Sequence, residues 1–184
     1  MKHYERNILV RSSRGFTLIE ILIAVAVFVV VMTVVMSIFI SGLRTRAEGV
    51  TNLALEREGS VILERIMRGV YAKGGLREAN SGTVTVGEDG SSIWFTVDRN
   101  TYPTKTRADD ITSFIYLLDG EVYYKPDVND SETVRLSGAQ GHVESLQFTP
   151  TASGVDIHIK LTSSLPATDR TAFIYLTKSV TMRN

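Results

Sequence analysis

The chain has 184 residues, no cysteine, and a formal charge of zero made from 20 basic and 20 acidic side chains. That length holds one ordinary domain and an appendage, and the absence of cysteine excludes both a disulfide framework and a thiolate metal site. The zero hides a polarity: residues 1 to 15 carry a net +3, from Lys2, Arg6, Arg11 and Arg14 against Glu5, and the remainder a net −3. A basic head before an apolar run favours a cytoplasmic N-terminus with the following part exported, and an acidic remainder gives no support to nucleic acid as a partner.

From Ile21 to Ile40 the chain runs for 20 residues without a charge. As a helix this segment spans about 30 Å, the thickness of a bilayer core. A cleaved secretory signal has a shorter apolar core, of roughly 7 to 15 residues, and a small-residue cleavage site. Here the run is longer and the candidate site, Phe39-Ile40-Ser41-Gly42, is a poor one. An ordinary signal anchor explains the length and the basic flank but not Glu20, which stands at the start of the run. An ionisable group at membrane depth costs about 2.5 to 3.5 kcal/mol on insertion scales and by default marks function.

Gly15-Phe16-Thr17-Leu18-Ile19-Glu20, behind a short basic leader and ahead of the apolar helix, resembles the prepilin cleavage and methylation motif of type IV pilins and type II secretion pseudopilins. The resemblance implies that a prepilin peptidase cuts between Gly15 and Phe16 and methylates the new amine. The mature chain would then be Phe16 to Asn184, with Glu20 as its fifth residue. Cleavage creates a cation in an apolar setting, where an unpaired charge is costly, so the carboxylate of a neighbouring subunit can pair with it during assembly. Phe16 and Glu20 are also four residues apart, on one helix face, which leaves an intramolecular pair open. A carboxylate snorkelling to the headgroups is the third reading. The resemblance further implies other pilins or pseudopilins and an inner-membrane assembly platform as partners, with membrane lipid around the helix before assembly. It places the chain in a bacterial cytoplasmic (inner) membrane and then in a pilus or pseudopilus. Many major pilins of this kind carry a proline at mature position twenty-two. This chain has Ser37 there and no Pro or Gly in the span before Gly42, which suits a minor subunit better.

Past the span, Leu43, Ala47, Val50 and Ala54, and then Ile62, Ile66, Met67 and Val70, recur at helical spacing. This predicts one continuous helix from about Phe16 to about Tyr71, roughly 80 Å long, whose apolar stripe covers a folded partner. Glu64 and Arg68 are placed for an i,i+4 ion pair, and Gly74-Gly75 is the predicted stop. Gly42, Gly49, Gly59 and Gly69 interrupt this helix, either as points of close helix contact or as tolerated surface positions.

After Gly75 the apolar period changes to two. Val84 and Val86, then Ile93, Phe95 and Val97, predict strands, and "FIYLLDGEVYYK" places Asp119-Gly120 as a hairpin turn between two more. Val155, Ile157, Ile159 and Leu161 alternate with polar residues as a half-buried strand, and residues 171 to 182 supply another behind the loop "SSLPATDR". The expected class is α+β, a long N-terminal helix on a C-terminal antiparallel sheet, which also resembles the pilin fold. The expected divisions are a leader over 1–15, a membrane and filament helix over 16–40, its amphipathic continuation over 41–75, and a sheet domain over 76–184. "SVILERIMRGVYAKGG", "DGSSIWFTVDRN" and the terminal "SVTMRN" are loosely similar to J-class minor pseudopilins or W-class minor pilins.

No catalytic or cofactor site is expected. His3 lies in the leader, and neither His142 nor His158 has an acid or thiol at a recognisable spacing. The chain has no P-loop, no G-x-S-x-G and no H-E-x-x-H. "DVNDSE", from Asp127 to Glu132, offers oxygen ligands for calcium without the central glycine of a full binding loop, so a polar turn is expected. "DRNTYPTKTR" mixes basic residues with Tyr102 and reads as a solvated loop. The rival to a filament subunit is a membrane-tethered module whose sheet domain captures a glycan, a surface or DNA.

Overall fold

The computed structural model describes residues 16–70, 74–97, 110–138, 141–165 and 171–182. Its chain divides into two compact units, at Thr45/Arg46. The boundary falls within the first element, helix α1 (Leu18–Arg68).

In the first unit every described residue is exposed, including all the apolar side chains from Leu18 to Leu43. Three of its hydroxyl side chains are turned onto the carbonyls of the helix itself. Thr33 Oγ1 donates to the Val29 carbonyl at 2.8 Å, Ser37 Oγ to that of Val34 at 2.8 Å, and Thr45 Oγ1 to that of Ser41 at 3.1 Å. Back-bonding of this kind satisfies a hydroxyl without water.

In the second unit α1 becomes one-sided. Leu55, Gly59, Ile62, Leu63, Ile66 and Met67 are buried at the i, i+4, i+7, i+8 spacing of a single face. The stripe therefore starts later than the periodicity predicts. Leu43 and Val50 are 52% and 61% exposed and Ala47 is exposed as well. Periodicity reports which face is apolar, and it carries no information on how far a covering strand reaches. The helix also stops earlier than predicted. Gly69 takes a left-handed φ of 79° and its N–H closes on the Arg65 carbonyl at 2.8 Å, the ending that an L side chain resists. Gly74 and Gly75 instead shape the segment beyond the helix, where Gly74 N–H donates to Glu78 Oε2 at 3.0 Å. The predicted Glu64–Arg68 pair forms at 2.5 Å between exposed side chains, worth a few tenths of a kcal/mol.

The strands divide into two antiparallel sheets. The first is a meander of β1 (Thr85–Val86), β2 (Ser92–Val97), β3 (Ile111–Leu118), β4 (Glu121–Lys125) and β5 (Val134–Arg135), in that spatial order. The second holds β6 (His142–Pro150), β7 (Gly154–Ser164) and β8 (Thr171–Thr181). Alternation works as predicted: Ile93, Phe95 and Val97 of β2 and Val155, Ile157, Ile159 and Leu161 of β7 all enter the core. Asp119 and Gly120, with φ of 51° and 78°, form the tight turn that joins β3 to β4. On the outer face of the first sheet, Trp94, Phe114, Tyr116 and Tyr123 stack in sequence at centroid distances of 4.4, 4.8 and 5.5 Å. Each such pair adds about 0.5 to 1.5 kcal/mol beyond area burial.

The two sheets are joined at β6. Its outer edge is closed by two turns of the first sheet: Phe148 N–H donates to the Gly90 carbonyl and Val143 N–H to the Gly120 carbonyl, each at 2.9 Å. Gly120 is required twice, by its positive φ and because a Cβ there would fall on the His142 imidazole. Helix and sheets share one core. Arg65 donates to the Leu136 carbonyl at 3.1 Å, and Glu58 Oε1 accepts from the Gly138 N–H at 2.8 Å. The arrangement is an α+β one of pilin type.

At Gly59 the helix packs tightly against the second sheet. A Cβ there would fall on Leu176 Cδ1 of β8 and within 3.0 Å of Leu161 Cδ1 of β7, whereas at Gly42 and Gly49 it would meet nothing within 4 Å. Gly59→Leu should therefore overpack the core and cost about 1 to 3 kcal/mol. Gly49→Ala should be neutral or stabilising by up to about 1 kcal/mol through helix propensity. Urea unfolding of the two variants, followed by the near-ultraviolet signal of Trp94, checks the contrast.

A second prediction concerns Tyr124, whose hydroxyl donates to the Gly74 carbonyl at 2.7 Å and lies 3.4 Å from Ser113 Oγ. Burial pushes this phenol above its ordinary value of 10.0. The folded state thus holds the proton more tightly than the unfolded state, and the resulting stability is present below pH 10 and lost as pH rises through the folded value. Tyr124→Phe should cost about 1 kcal/mol near neutral pH and remove this part of the alkaline fall. Thermal unfolding across pH 8 to 11 measures both effects.

Candidate processing and assembly site

The candidate residues Gly15, Phe16 and Glu20 meet at the beginning of α1. Gly15, with the leader and His3, lies outside the described residues. Phe16 is 82% exposed and precedes the first helical turn. Glu20 sits in that turn, and its carboxylate is already engaged: Oε2 accepts from the Thr17 N–H at 3.0 Å and from Thr17 Oγ1 at 3.1 Å. In return the Glu20 N–H lies 3.3 Å from Thr17 Oγ1. This is a reciprocal capping box, with Thr17 as the N-cap and Glu20 three residues on.

The chemistry of the place explains the device. The first N–H groups of a helix have no carbonyl of their own helix to bind, and in water the solvent supplies acceptors. At the edge of a hydrocarbon layer the protein must supply them, because each unsatisfied group costs several kcal/mol there. Glu20 also places a negative charge at the positive end of the helix dipole. Its second oxygen, Oε1, accepts no hydrogen bond among the described residues. One carboxylate thus caps the helix with one oxygen and leaves the other without a hydrogen bond among the described residues. Thr17 is the residue that motif reading alone passes over, although T-x-x-E before an apolar run is the sequence signature of the box.

The other candidates do not converge on a second site. Exposed His158 contacts only a hydroxyl, with Nδ1 3.0 Å from Thr177 Oγ1, and His142 lies over Gly120. In the acidic turn the Asp127 and Asp130 carboxylates accept from the N–H groups of Asn129 and Ser131, at 2.9 and 2.7 Å. Among the described residues no three His, Asp or Glu side chains form a metal-binding group. The segment "DRNTYPTKTR" lies outside the described residues. Lys160 pairs with Glu144, which raises its pKa, and its ammonium stands 5.4 and 5.8 Å from the ring centroids of Tyr175 and Phe173.

Residues 10–42 match the family described as the prokaryotic N-terminal methylation motif. Compared with the curated proteins and with the solved structures, the chain has no match in either. The matched segment contains the capped helix start and the whole apolar run. It supports a pilin-like protein of the type IV pilin and pseudopilin family, processed by prepilin peptidase and assembled with other pilins. Proteins of this type are structural rather than enzymatic. The exposed apolar helix that carries the motif fits membrane anchoring.

Removing the hydroxyl should loosen the helix start and little else. Thr17→Val is expected to cost about 1 kcal/mol at the first turn. In detergent micelles the Glu20 and Ile21 amides should then exchange several-fold faster, with the amides of residues 55–67 unchanged.

Proposed function

We propose that this chain is a minor pilin or pseudopilin: a subunit cut between Gly15 and Phe16, methylated on the new amine, and inserted into a short filament through its N-terminal helix. Residues 1–15 serve as the removable leader and 16–40 as the membrane and filament helix. The remainder is the exported domain, which includes the amphipathic part of α1. Glu20 is the assembly residue, pairing with the amine of a neighbouring subunit. The observation that carries the reading is a carboxylate with one oxygen committed to the cap and the other, Oε1, without a hydrogen bond among the described residues, at the start of a helix matched by the methylation motif. The hydrogen bonds of the box alone could be made by glutamine, which has no charge to offer a neighbouring amine.

The uninterrupted span with Ser37 in place of a proline supports a minor subunit, and J-class pseudopilins or W-class minor pilins are the subgroup this reading favours. The basic leader supports a cytoplasmic N-terminus with the domain beyond the inner membrane. The assembly platform of that membrane is the expected route into the filament.

Protein recovered from its own membranes should have the mass of Phe16 to Asn184 plus one methyl group. A native chain still starting at Met1 beside an active prepilin peptidase rejects the reading. Glu20→Gln separates charge from capping. It keeps the box and removes the anion, so insertion and cleavage should proceed while crosslinking to partner subunits falls as far as in Glu20→Ala. Normal crosslinking and normal secretion or piliation in both variants would instead shift weight to a tethered binding module.

A further inference from the structure

The two long edges of the second sheet are treated differently. The outer edge of β6 is bonded to the Gly90 and Gly120 turns, whereas β8 presents an 11-residue edge to solvent. The register shows which backbone groups that edge leaves over. Gly154 pairs with Thr181, and Met182 N–H donates to the Ser153 carbonyl at 3.1 Å, so 153 and 182 form a hydrogen-bonded pair. Bonded and non-bonded pairs alternate along an antiparallel ladder, and this one has no bulge. The even-numbered residues from Ala172 to Val180 therefore turn their backbones to β7. Thr171, Phe173, Tyr175, Thr177, Ser179 and Thr181 turn N–H and C=O outward, and none of these groups has a bonding partner among the described residues. β1 and β5, the edges of the first sheet, have only two residues each.

The side chains along the β8 edge are sorted by face. Outward stand Phe173 and Tyr175, 59% and 64% exposed, with their rings 5.7 Å apart edge to face. On the other side a groove of about 320 Å³ runs between β8, the last turn of α1 and the 3-10 turn Leu76–Glu78. Arg68, Arg77 and Lys178 line it, and Glu64, which already pairs with Arg68, is the single carboxylate there. Arg77 and Lys178 have no anionic partner among the described residues.

We infer that the β8 edge is a docking site for an extended segment of a partner subunit, added as a further strand, with acidic side chains toward Arg77 and Lys178 and apolar ones toward Phe173 and Tyr175. Backbone pairing of this kind supplies affinity, and alternate side chains supply specificity. Charge selects the occupant. β8 contains Lys178 and no carboxylate, so a second copy of β8 offers the basic groove no anion. A foreign acidic strand neutralises the groove instead. The inference rests on the pilin-like reading only for the source of the strand.

The test uses the full-length chain in detergent micelles and two end-capped nine-residue peptides, one alternating valine with glutamate and the other valine with lysine. The glutamate peptide should slow amide exchange at Phe173, Tyr175, Thr177 and Ser179, and the lysine peptide should not. The double variant Arg77→Glu, Lys178→Glu should weaken the glutamate peptide about tenfold or more. Thr177→Pro deletes one outward N–H without touching the β7 ladder and should abolish the protection while near-ultraviolet dichroism stays native. In the native host, a photocrosslinker at position 175 should mark an acidic extended segment of another pilin-like subunit. No protection by the glutamate peptide, equal protection by both peptides, or a crosslink to a second β8 or to lipid each overturns the inference. The mature mass of the same preparation reports the pilin-like reading separately.

Discussion

A helix that is apolar on every side cannot be left in water, and this requirement governs the first unit of the chain. The side chains from Leu18 to Ile40 have no protein neighbour to cover them. At roughly 25 cal/mol per Å² of apolar surface, transferring such a helix out of water outweighs any local preference in the sequence. Hydrocarbon satisfies the demand first. Neighbouring helices can satisfy it later, because hydrocarbon is as apolar as leucine and exchanging one for the other costs little hydrophobic energy. A uniformly apolar helix that turns hydroxyls onto its own carbonyls, as Thr33 and Ser37 are turned, suits either setting.

The same medium makes the ends of the helix the places where polar chemistry concentrates. At the start, Thr17 and Glu20 satisfy each other, so that the carboxylate is anchored in position at the first turn. An anchored acceptor is more selective than a mobile one, since its orientation is settled in advance. Far down the same helix the surroundings change: burial begins at Leu55, and Gly69 in the left-handed region ends the helix. The sequence of this one helix records the change as a passage from uniform to one-sided apolarity.

Much of this was legible in the residues. The Asp119-Gly120 turn, the alternation of β2 and β7 and the Glu64–Arg68 pair all rest on interactions between residues close in sequence, which local pattern reports faithfully. The misreadings arose where distance along the chain intervened. Leu43 and Val50 have the spacing of a buried stripe and lack a cover, and burial depends on strands more than a hundred residues away. The division into two sheets depends on whether β5 pairs with β6, and alternation within each strand says nothing of that. Gly69 and Gly74 both take left-handed φ, and only the hydrogen bond to Arg65 shows which one ends the helix. At the site, Glu20 was visible as an anomaly of charge, whereas Thr17 carries no charge and is informative only through its spacing.

The close approach at Gly59 ties the beginning of the domain to its end. The atoms that fill the space over this glycine come from Leu161 and, above all, from Leu176 in the last strand. The space over Gly59 is therefore closed in full only when the last strand, β8, has joined the sheet. Sequence separation of that size makes closure late and loop-limited. Until then this part of the helix face stays open, and the last strand acts as the latch of the domain.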